Sequence, residues 1–265
     1  MSCRSYGSHV TDEYVTNGRV ALDLNRIQGR IEAEYSPVTE STQLRVKALL
    51  AAGATAPVVA LTDEQTLGRG RLDRVWSAPA YSSVLMSVGL PMSVYDSTFT
   101  LRVGVAVAAT LAVQGVAVQL KWPNDVVLVR EGVVRKLGGI LAEQHGDHVV
   151  VGIGLNAHLD DAELPTAEAI SCRQLGLTLD RERAIVEIIE RLEAIAPATD
   201  LAGYRERCVT IGADVVVARV AGNPLQGKAI GVDDDGALIV RDDENHEHRV
   251  TVGDVQHVRP QEKRV

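Results

Sequence analysis

Apolar and polar positions along this chain change period repeatedly, and each change predicts an element. Residues 20–27 form a helix-like run that Gly29 ends, predicting a short leader element. Ile31, Ala33 and Tyr35 then alternate with polar neighbours, as a strand does. Ser41 is placed to cap a helix through Ala52, with Gly53 closing it. A short apolar strand is predicted at 58–62, a long Gly/Arg-rich loop at 67–80 and a strand at 82–90. Residues 100–113 read as an Ala/Val-rich, largely buried helix. Strands follow at 117–121, 137–143 and 148–154, with His145-Gly146-Asp147 as a hairpin turn between the last two. Residues 181–196 predict a helix with Ile185, Ile188, Ile189 and Leu192 on one face.

Beyond Arg207 the pattern shortens. Runs of β type at 214–220, 226–232, 238–240 and 248–252 alternate with turns such as Gly222-Asn223-Pro224 and Asp233-Asp234-Asp235-Gly236. Short strands joined by tight turns predict a small barrel. A boundary near residue 206 divides the chain into a leader (1–29), a main domain (30–206) and a C-terminal domain (207–265).

Aromatic residues make up only 3% of the chain, so Val, Ala, Leu and Ile must build the core. With 265 residues, 46% of them hydrophobic, a core can form without disulfides or metal. The net charge of −8 argues against generic nucleic-acid binding, which needs a basic surface. Cys3, Cys172 and Cys208 are far apart and odd in number. That spacing suits neither a zinc site nor a disulfide framework and points to a reducing cytoplasm. No apolar run reaches membrane-spanning length, and no signal-peptide pattern opens the chain, so a soluble intracellular protein is expected.

Candidate chemistry gathers in four short stretches. Gly68-Arg69-Gly70-Arg71-Leu72-Asp73-Arg74-Val75-Trp76 concentrates arginines in an otherwise acidic chain. Glycines allow close backbone approach, guanidinium forks match phosphate or carboxylate oxygens, and Trp76 offers a stacking face. A solvated basic loop with a structural Trp is the alternative. It is not a Walker A loop, because no Gly-Lys-Ser/Thr follows. Lys121-Trp122-Pro123-Asn124-Asp125 ends a strand, where Asn124 and Asp125 suit a nucleotide or Mg²⁺ but equally an Asx-type turn. Lys136 precedes Leu137-Gly138-Gly139-Ile140-Leu141 and is either an exposed edge lysine or a ligand contact beside paired glycines. Gly152-Ile153-Gly154-Leu155-Asn156 fails as a dinucleotide fingerprint, lacking the third glycine and a following helix.

Taken in order, these four stretches resemble the hallmarks of the biotin–protein ligases: Gly-Arg-Gly-Arg-x-x-Arg-x-Trp, Lys-Trp-Pro-Asn-Asp, Lys-Leu-x-Gly-Ile-Leu and Gly-x-Gly-x-Asn. The resemblance spans roughly residues 30–260. It implies an α+β fold, with a mixed β-sheet catalytic domain and flanking helices like those of class II aminoacyl-tRNA synthetases and biotinyl transferases. A small C-terminal SH3-like β-barrel completes the implied architecture. The activity it implies has two steps. Biotin and ATP give biotinyl-5′-adenylate and pyrophosphate, and a lysine of a biotin carboxyl carrier protein then attacks and releases AMP.

Carried over by position, the resemblance places Ser41, Thr42 and Gln43 in the biotin site and has Gln65 read the ureido ring. Arg69, Gly70 and Arg71 close over biotin, while Gly138, Gly139 and Gly154 give it space. Arg71 and Arg74 hold phosphates, Trp76 packs by the adenine, and Asn124 and Asn156 lie beside the nucleotide. Lys136 touches both the biotin carboxylate and the α-phosphate, and Asp125 is the candidate for Mg²⁺ or for accepting the amine proton. The implied catalytic set is Lys136, Arg71 and Asp125, with Mg²⁺ accompanying ATP.

Two positions depart from the family pattern. Glu40-Ser41-Thr42-Gln43 stands where members have Gly-Ser-Thr-Asn, and Asp73 stands where many have Gly. Asp73 either weakens phosphate binding or pairs with an arginine of its own loop.

Lipoate–protein ligases share the fold and the adenylate chemistry, but the arginine loop and the C-terminal barrel favour biotin. Some members also bind DNA through a preceding helix-turn-helix domain. Residues 1–29 are too few for one, so a ligase without operator binding is expected. A homodimer through edge strands is compatible with the family, and a membrane partner is not expected.

Overall fold

The computed structural model describes residues 19–196, 200–218, 223–251 and 253–257. The first part of the expected leader (1–18), the turn glycine Gly222 and the ends of two expected strands (219–220 and 252) lie outside the described residues.

Seven strands form the main sheet. They are β1 (Glu34–Thr39), β2 (Val58–Gln65), β3 (Ser83–Pro91), β4 (Gln119–Lys121), β5 (Asp125–Arg130), β6 (Val133–His145) and β7 (His148–Asn156). Their order is β1-β2-β3-β7-β6-β5-β4. β1 pairs parallel with β2, and every other neighbour pair is antiparallel. The sheet is therefore mixed.

Period-two alternation sends side chains to both faces of this sheet. Val58, Ala60 and Val150 pack with Val46 and Leu50 of α1 (Thr42–Ala51) on one face. Val59, Leu61, Val149 and Val151 point the other way, into the larger core shared with α2 (Phe99–Val113) and α3 (Arg181–Glu193). α1 lies so close that a Cβ on Gly89 of β3 would stand 2.9 Å from Val46 and 3.0 Å from Leu50. A glycine there sets the depth at which α1 seats.

The C-terminal strands β8 (Asp214–Ala218), β9 (Leu225–Val232), β10 (Leu238–Arg241), β11 (Glu247–Val250) and β12 (Asp254–His257) follow a short helix, α4 (Ala202–Arg205). They form one antiparallel sheet in the order β11-β10-β9-β8-β12, a ladder with two ends among the described residues. Trp122 docks this sheet on the main one: its Nε1 donates to Gly236 O at 2.9 Å and its backbone N–H to Thr210 Oγ1 at 3.0 Å.

Several sequence expectations shift. The helix-like run at 20–27 folds as a single 3₁₀ turn, Leu24–Arg26, with Asp23 accepting from Asn25 N–H. Leu22, Ile27 and Ile31 are buried in the main core, so tertiary packing, not helix propensity, fixes this segment. Arg181 and Asp63, both buried, pair at 2.9 Å, and Asp63 also accepts from Tyr35 OH and Leu22 N–H. The first strand begins at Glu34 and includes Pro37, which β1 tolerates because it is a sheet edge. β5 and β12 join the strands read from the pattern, and β6 runs to thirteen residues.

Candidate active site

A cavity of about 250 Å³ opens where the two sheets meet. The start of α1 supplies Ser41, Thr42 and Gln43, and the end of β2 supplies Gln65. The 66–82 loop brings Arg69, Gly70, Arg71, Arg74 and Trp76. The β4–β5 hairpin adds Lys121, Asn124 and Asp125, and β6 and β7 add Lys136, Gly139, Gly154 and Asn156. Of the residues expected from the sequence only Gly138 lies outside this lining. A Cβ there would stand 2.5 Å from the Leu155 side chain and 2.7 Å from Gly154 O, so that glycine serves strand packing.

The glycines of β6 and β7 make room for an aromatic ring. A Cβ on Gly154 would meet Trp76 ring atoms at 2.6–2.9 Å, and one on Gly139 would meet the ring at 3.3 Å. Lys136 Nζ lies 5.8 Å from the Trp76 ring centroid and 2.6 Å from Asp125 Oδ1. The lysine so read as an edge residue or a ligand contact is thus directed into the cavity, held between a carboxylate and an aromatic face.

The arginine loop is tied to both sheets. Arg71 donates to Asn124 Oδ1 at 3.1 Å and to Gly253 O at 3.2 Å. Burial lowers the pKa of its guanidinium, which leaves a cation poorly hydrated and ready to gain from an incoming anion. Arg74 pairs with Asp254 of β12, and that hydrogen bond raises the arginine's pKa. Arg69 reaches Glu143 at 3.3 Å. Leu72 and Asp73 take φ of 54° and 57°, the left-handed region. Asp73 thus occupies a position that favours glycine, and Asp tolerates it better than most residues. It is exposed and pairs with neither Arg71 nor Arg74 among the described ion pairs.

Lys121, Ser87, Glu143 and Asp254 belong to this site or brace it without having been singled out from the sequence. Burial lowers the pKa of Lys121, with Asp125 and Asp254 pulling the other way. For Asp254 burial pushes upward, but Arg74, Lys121 and Arg71 outweigh it and hold the carboxyl below its usual range. Lys121 stands in a quoted motif and was legible. Asp254 was not, because only folding brings it to Arg74.

Three buried polar atoms of the lining have no protein partner: Ser41 Oγ, Trp76 Nε1 and Asn156 Oδ1. Buried polar groups are normally satisfied, so these three atoms are open to a partner from the cavity. No three metal-ligating side chains converge among the described residues. A metal here would rely on ligands from a bound nucleotide, the mode in which Mg²⁺ is commonly held.

The profile of the Biotin/lipoate A/B protein ligase family matches residues 35–157, and that of the biotin protein ligase C-terminal domain matches 210–258. The chain is 37% identical over 238 residues to the biotin–[acetyl-CoA-carboxylase] ligase of Mycobacterium tuberculosis, covering 83% of this chain and 87% of that one. The chain belongs to the biotin–protein ligase family. The bifunctional ligase/repressor BirA of Bacillus subtilis is 29% identical over 233 residues, 79% of this chain and 69% of that protein. Among solved structures, a biotin protein ligase of Aquifex aeolicus in complex with biotin and ATP shares the fold. Its TM-score is 0.73 at 21% identity, covering 86% of this chain and 99% of that one. The α+β architecture expected from the motifs, a mixed sheet with flanking helices and an appended β domain, is thus the family's own.

Proposed function

We infer that this chain is an ATP-dependent biotin–protein ligase that makes biotinyl-5′-adenylate and passes biotin to a lysine of a biotin carboxyl carrier protein. The observation that carries this reading is the joint one at the cavity. Arg71, Arg74, Lys121 and Lys136 converge on a lining that holds three unpartnered buried polar atoms.

Two anions must meet for the first step. A biotin carboxylate oxygen attacks the α-phosphorus, and the bond to the bridging oxygen breaks, releasing pyrophosphate. Fixed cations offset the repulsion between carboxylate and triphosphate and stabilise charge growing on the phosphoryl oxygens. Lys136 stands at the join, and Arg71, held on Asn124 Oδ1, belongs to the same lining. Arg74 and Lys121 face the phosphates, Trp76 and Asn156 the adenosine, and Ser41, Thr42 and Gln65 the biotin ring. Asp125, paired with Lys136 across the cavity, is the carboxylate that would hold a Mg²⁺ brought by ATP, and that ion would add charge neutralisation at the phosphates. In the second step the neutral amine of the acceptor lysine attacks the anhydride carbonyl, AMP leaves, and Asp125 takes the amine proton.

Catalysis belongs to residues 30–206, on whose sheet the segment from Arg19 is packed, and residues 207–265 add Asp254 to the site. No helix among the described residues is long and apolar enough to cross a membrane. Cys172 and Cys208 are unpaired and buried, which suits the reducing, ATP-supplied cytoplasm. Pyrophosphate release with biotin against lipoate tests the substrate: release that requires biotin is expected, and release driven equally by lipoate overturns the assignment.

A further inference from the structure

One wall of the cavity comes from outside the four motifs and outside α1 and β2. Pro165, Thr166 and Ala169 line it together with Asn156 and Lys136. They belong to residues 157–170, which leave the end of β7 and return to β6. The returning end is bound to the sheet. Lys136 N–H donates to Glu168 O at 2.6 Å, Ile170 N–H to Lys136 O at 2.9 Å, and Asn156 Nδ2 to Ile170 O at 3.1 Å. The outgoing end makes a 3₁₀ turn, Asp161–Glu163, closed by a capping box in which Glu163 accepts from Asp160 N–H at 2.8 Å. Leu164 and Pro165 stand between the two ends, and Pro165 has no N–H with which to tie itself down.

The turn is gripped from outside by the N-terminal segment. Arg19 Nη1 donates to Glu163 Oε1 at 3.0 Å, and Nη2 donates to Glu163 Oε2 and to Asp160 Oδ2, the latter at 3.3 Å. A two-pronged contact between guanidinium and carboxylate fixes direction as well as distance. The Arg19 side chain is 3% exposed, against 26% for Glu163 and 37% for Asp160, so the cation is the buried partner. It stands on a fixed base: Val20 O accepts from Arg181 at 2.5 Å, and Leu22 N–H donates to Asp63 at 3.1 Å. Arg19 is also the main influence that holds the Glu163 carboxyl below its usual range. Arg173 reaches Asp160 at 2.7 Å, but it pairs with no oxygen of Glu163 among the described ion pairs.

We propose that Arg19 is a positioning residue for the nucleotide: by gripping the Glu163 turn it sets where Pro165 and Thr166 stand beside Asn156. It precedes all four motifs and the 35–157 family match, and it acts on the cavity through residues 160–166. Ser41, Thr42 and Gln65 come from α1 and β2, so the biotin side of the cavity keeps its shape when the turn is released. The inference rests on the proposed function, in which Asn156 faces the adenosine.

The test measures KM for ATP and KM for biotin in the pyrophosphate-release assay, with a thermal melt of each protein. Arg19→Met keeps an apolar stem and releases the turn. Its ATP KM is expected to rise about tenfold, the scale of one backbone residue left to be ordered on binding, with the biotin KM little changed. Arg19→Lys restores the charge without the fork and is expected to fall between. Glu163→Gln cuts the same contact from the other side. It changes a part-exposed residue, so it decides the matter if Arg19→Met does not fold. Added to Arg19→Met, it should raise the ATP KM little further, because both act through one contact. An ATP KM within about twofold of the unmodified value in the folded variants overturns the proposal while biotin ligation stands. Two KM values that rise in proportion, or single effects that multiply in full, also overturn it. No biotin-dependent turnover by the unmodified chain overturns the proposed function and this inference with it.

Discussion

Lys136→Met removes one positive charge while keeping most of the side chain's length and apolar body. Lys136 and Asp125 are 38% and 22% exposed, so their 2.6 Å pair is screened by water and adds little to stability, about 0.2–1 kcal/mol. Opposite a carboxylate and a phosphate drawn to the same ammonium, the group matters more. At an effective dielectric near 20, unit charges about 4 Å apart interact by ~4 kcal/mol. Desolvation of the partners cancels part of that, and hydrogen bonds to charged groups contribute a net of about 1.5–3 kcal/mol. At 1.36 kcal/mol per decade, adenylation should slow by about 10- to 150-fold. Single-turnover pyrophosphate release with saturating biotin and ATP measures the step, and a thermal melt of the same sample measures stability. The expected result is a slowed first step with nearly unchanged melting. Adenylation within threefold of the unmodified rate refutes the role given to Lys136, and a large loss of melting temperature assigns the effect to folding.

Gly154→Ala places a methyl 2.6–2.9 Å from the Trp76 ring, on a strand paired on both sides, so the ring must leave. A red-shifted tryptophan emission and an ATP KM raised about tenfold are expected; unchanged emission would mean that the ring does not rest on Gly154. Asp63→Ala strands the buried Arg181 and should cost about 3–5 kcal/mol in denaturant unfolding, and a loss under 1 kcal/mol would contradict the buried network. Burial, with Lys121 nearby, lowers the pKa of His257 to about 4 from 6.5. This histidine stays neutral in the folded chain while the unfolded chain takes up a proton, so its stabilisation is complete above the unfolded value and fades as pH falls toward 4. His257→Gln should lose less stability than the unmodified chain between those limits, and equal acid sensitivity in urea titrations would remove His257 from the cause.

Local pattern and tertiary context divide what the sequence made legible. α2 needs no help from context: an unbroken Ala/Val-rich stretch buries most of its surface, and its predicted bounds differ by one residue. β7 and its hairpin turn are equally local, with Gly146 at φ 56° between His145 and His148. β5 was hidden because Pro123 and the Asn124-Asp125 pair read as a turn, whereas the turn spans only residues 122–124 and Asp125 already opens the strand. The 20–27 run has helical spacing but ends as a 3₁₀ turn, because Leu22 and Ile27 are drawn into a core built by distant elements.

The site shows the same division. The site residues expected within the four motifs reach the cavity from three places. These are the arginine loop, the strand ends around Asn124 and Asn156, and the interior of β6, which carries Lys136 and Gly139. Gly138 is the exception, since adjacent strand positions face opposite sides and only Gly139 meets Trp76. The partners that brace the motifs were out of reach. Glu143 and Asp254 are ordinary surface-type residues in sequence and acquire meaning only by facing Arg69 and Arg74 across the fold. Gln43 shows a subtler limit. The sequence marks it as an unusual amide in a ligand-binding stretch, while the fold turns that amide away from the ligand and onto Val150, Glu143 and Ser87.

The central claim is that one cationic cavity joins biotin to ATP and then to a lysine. Incubation of the full chain with biotin, Mg-ATP and a biotin carboxyl carrier fragment, followed by mass measurement of the fragment, tests it most directly. The account predicts a single mass gain equal to biotin less one water, dependent on both ATP and the acceptor lysine. An unmodified fragment from an active, folded preparation, or the same gain without ATP, contradicts it.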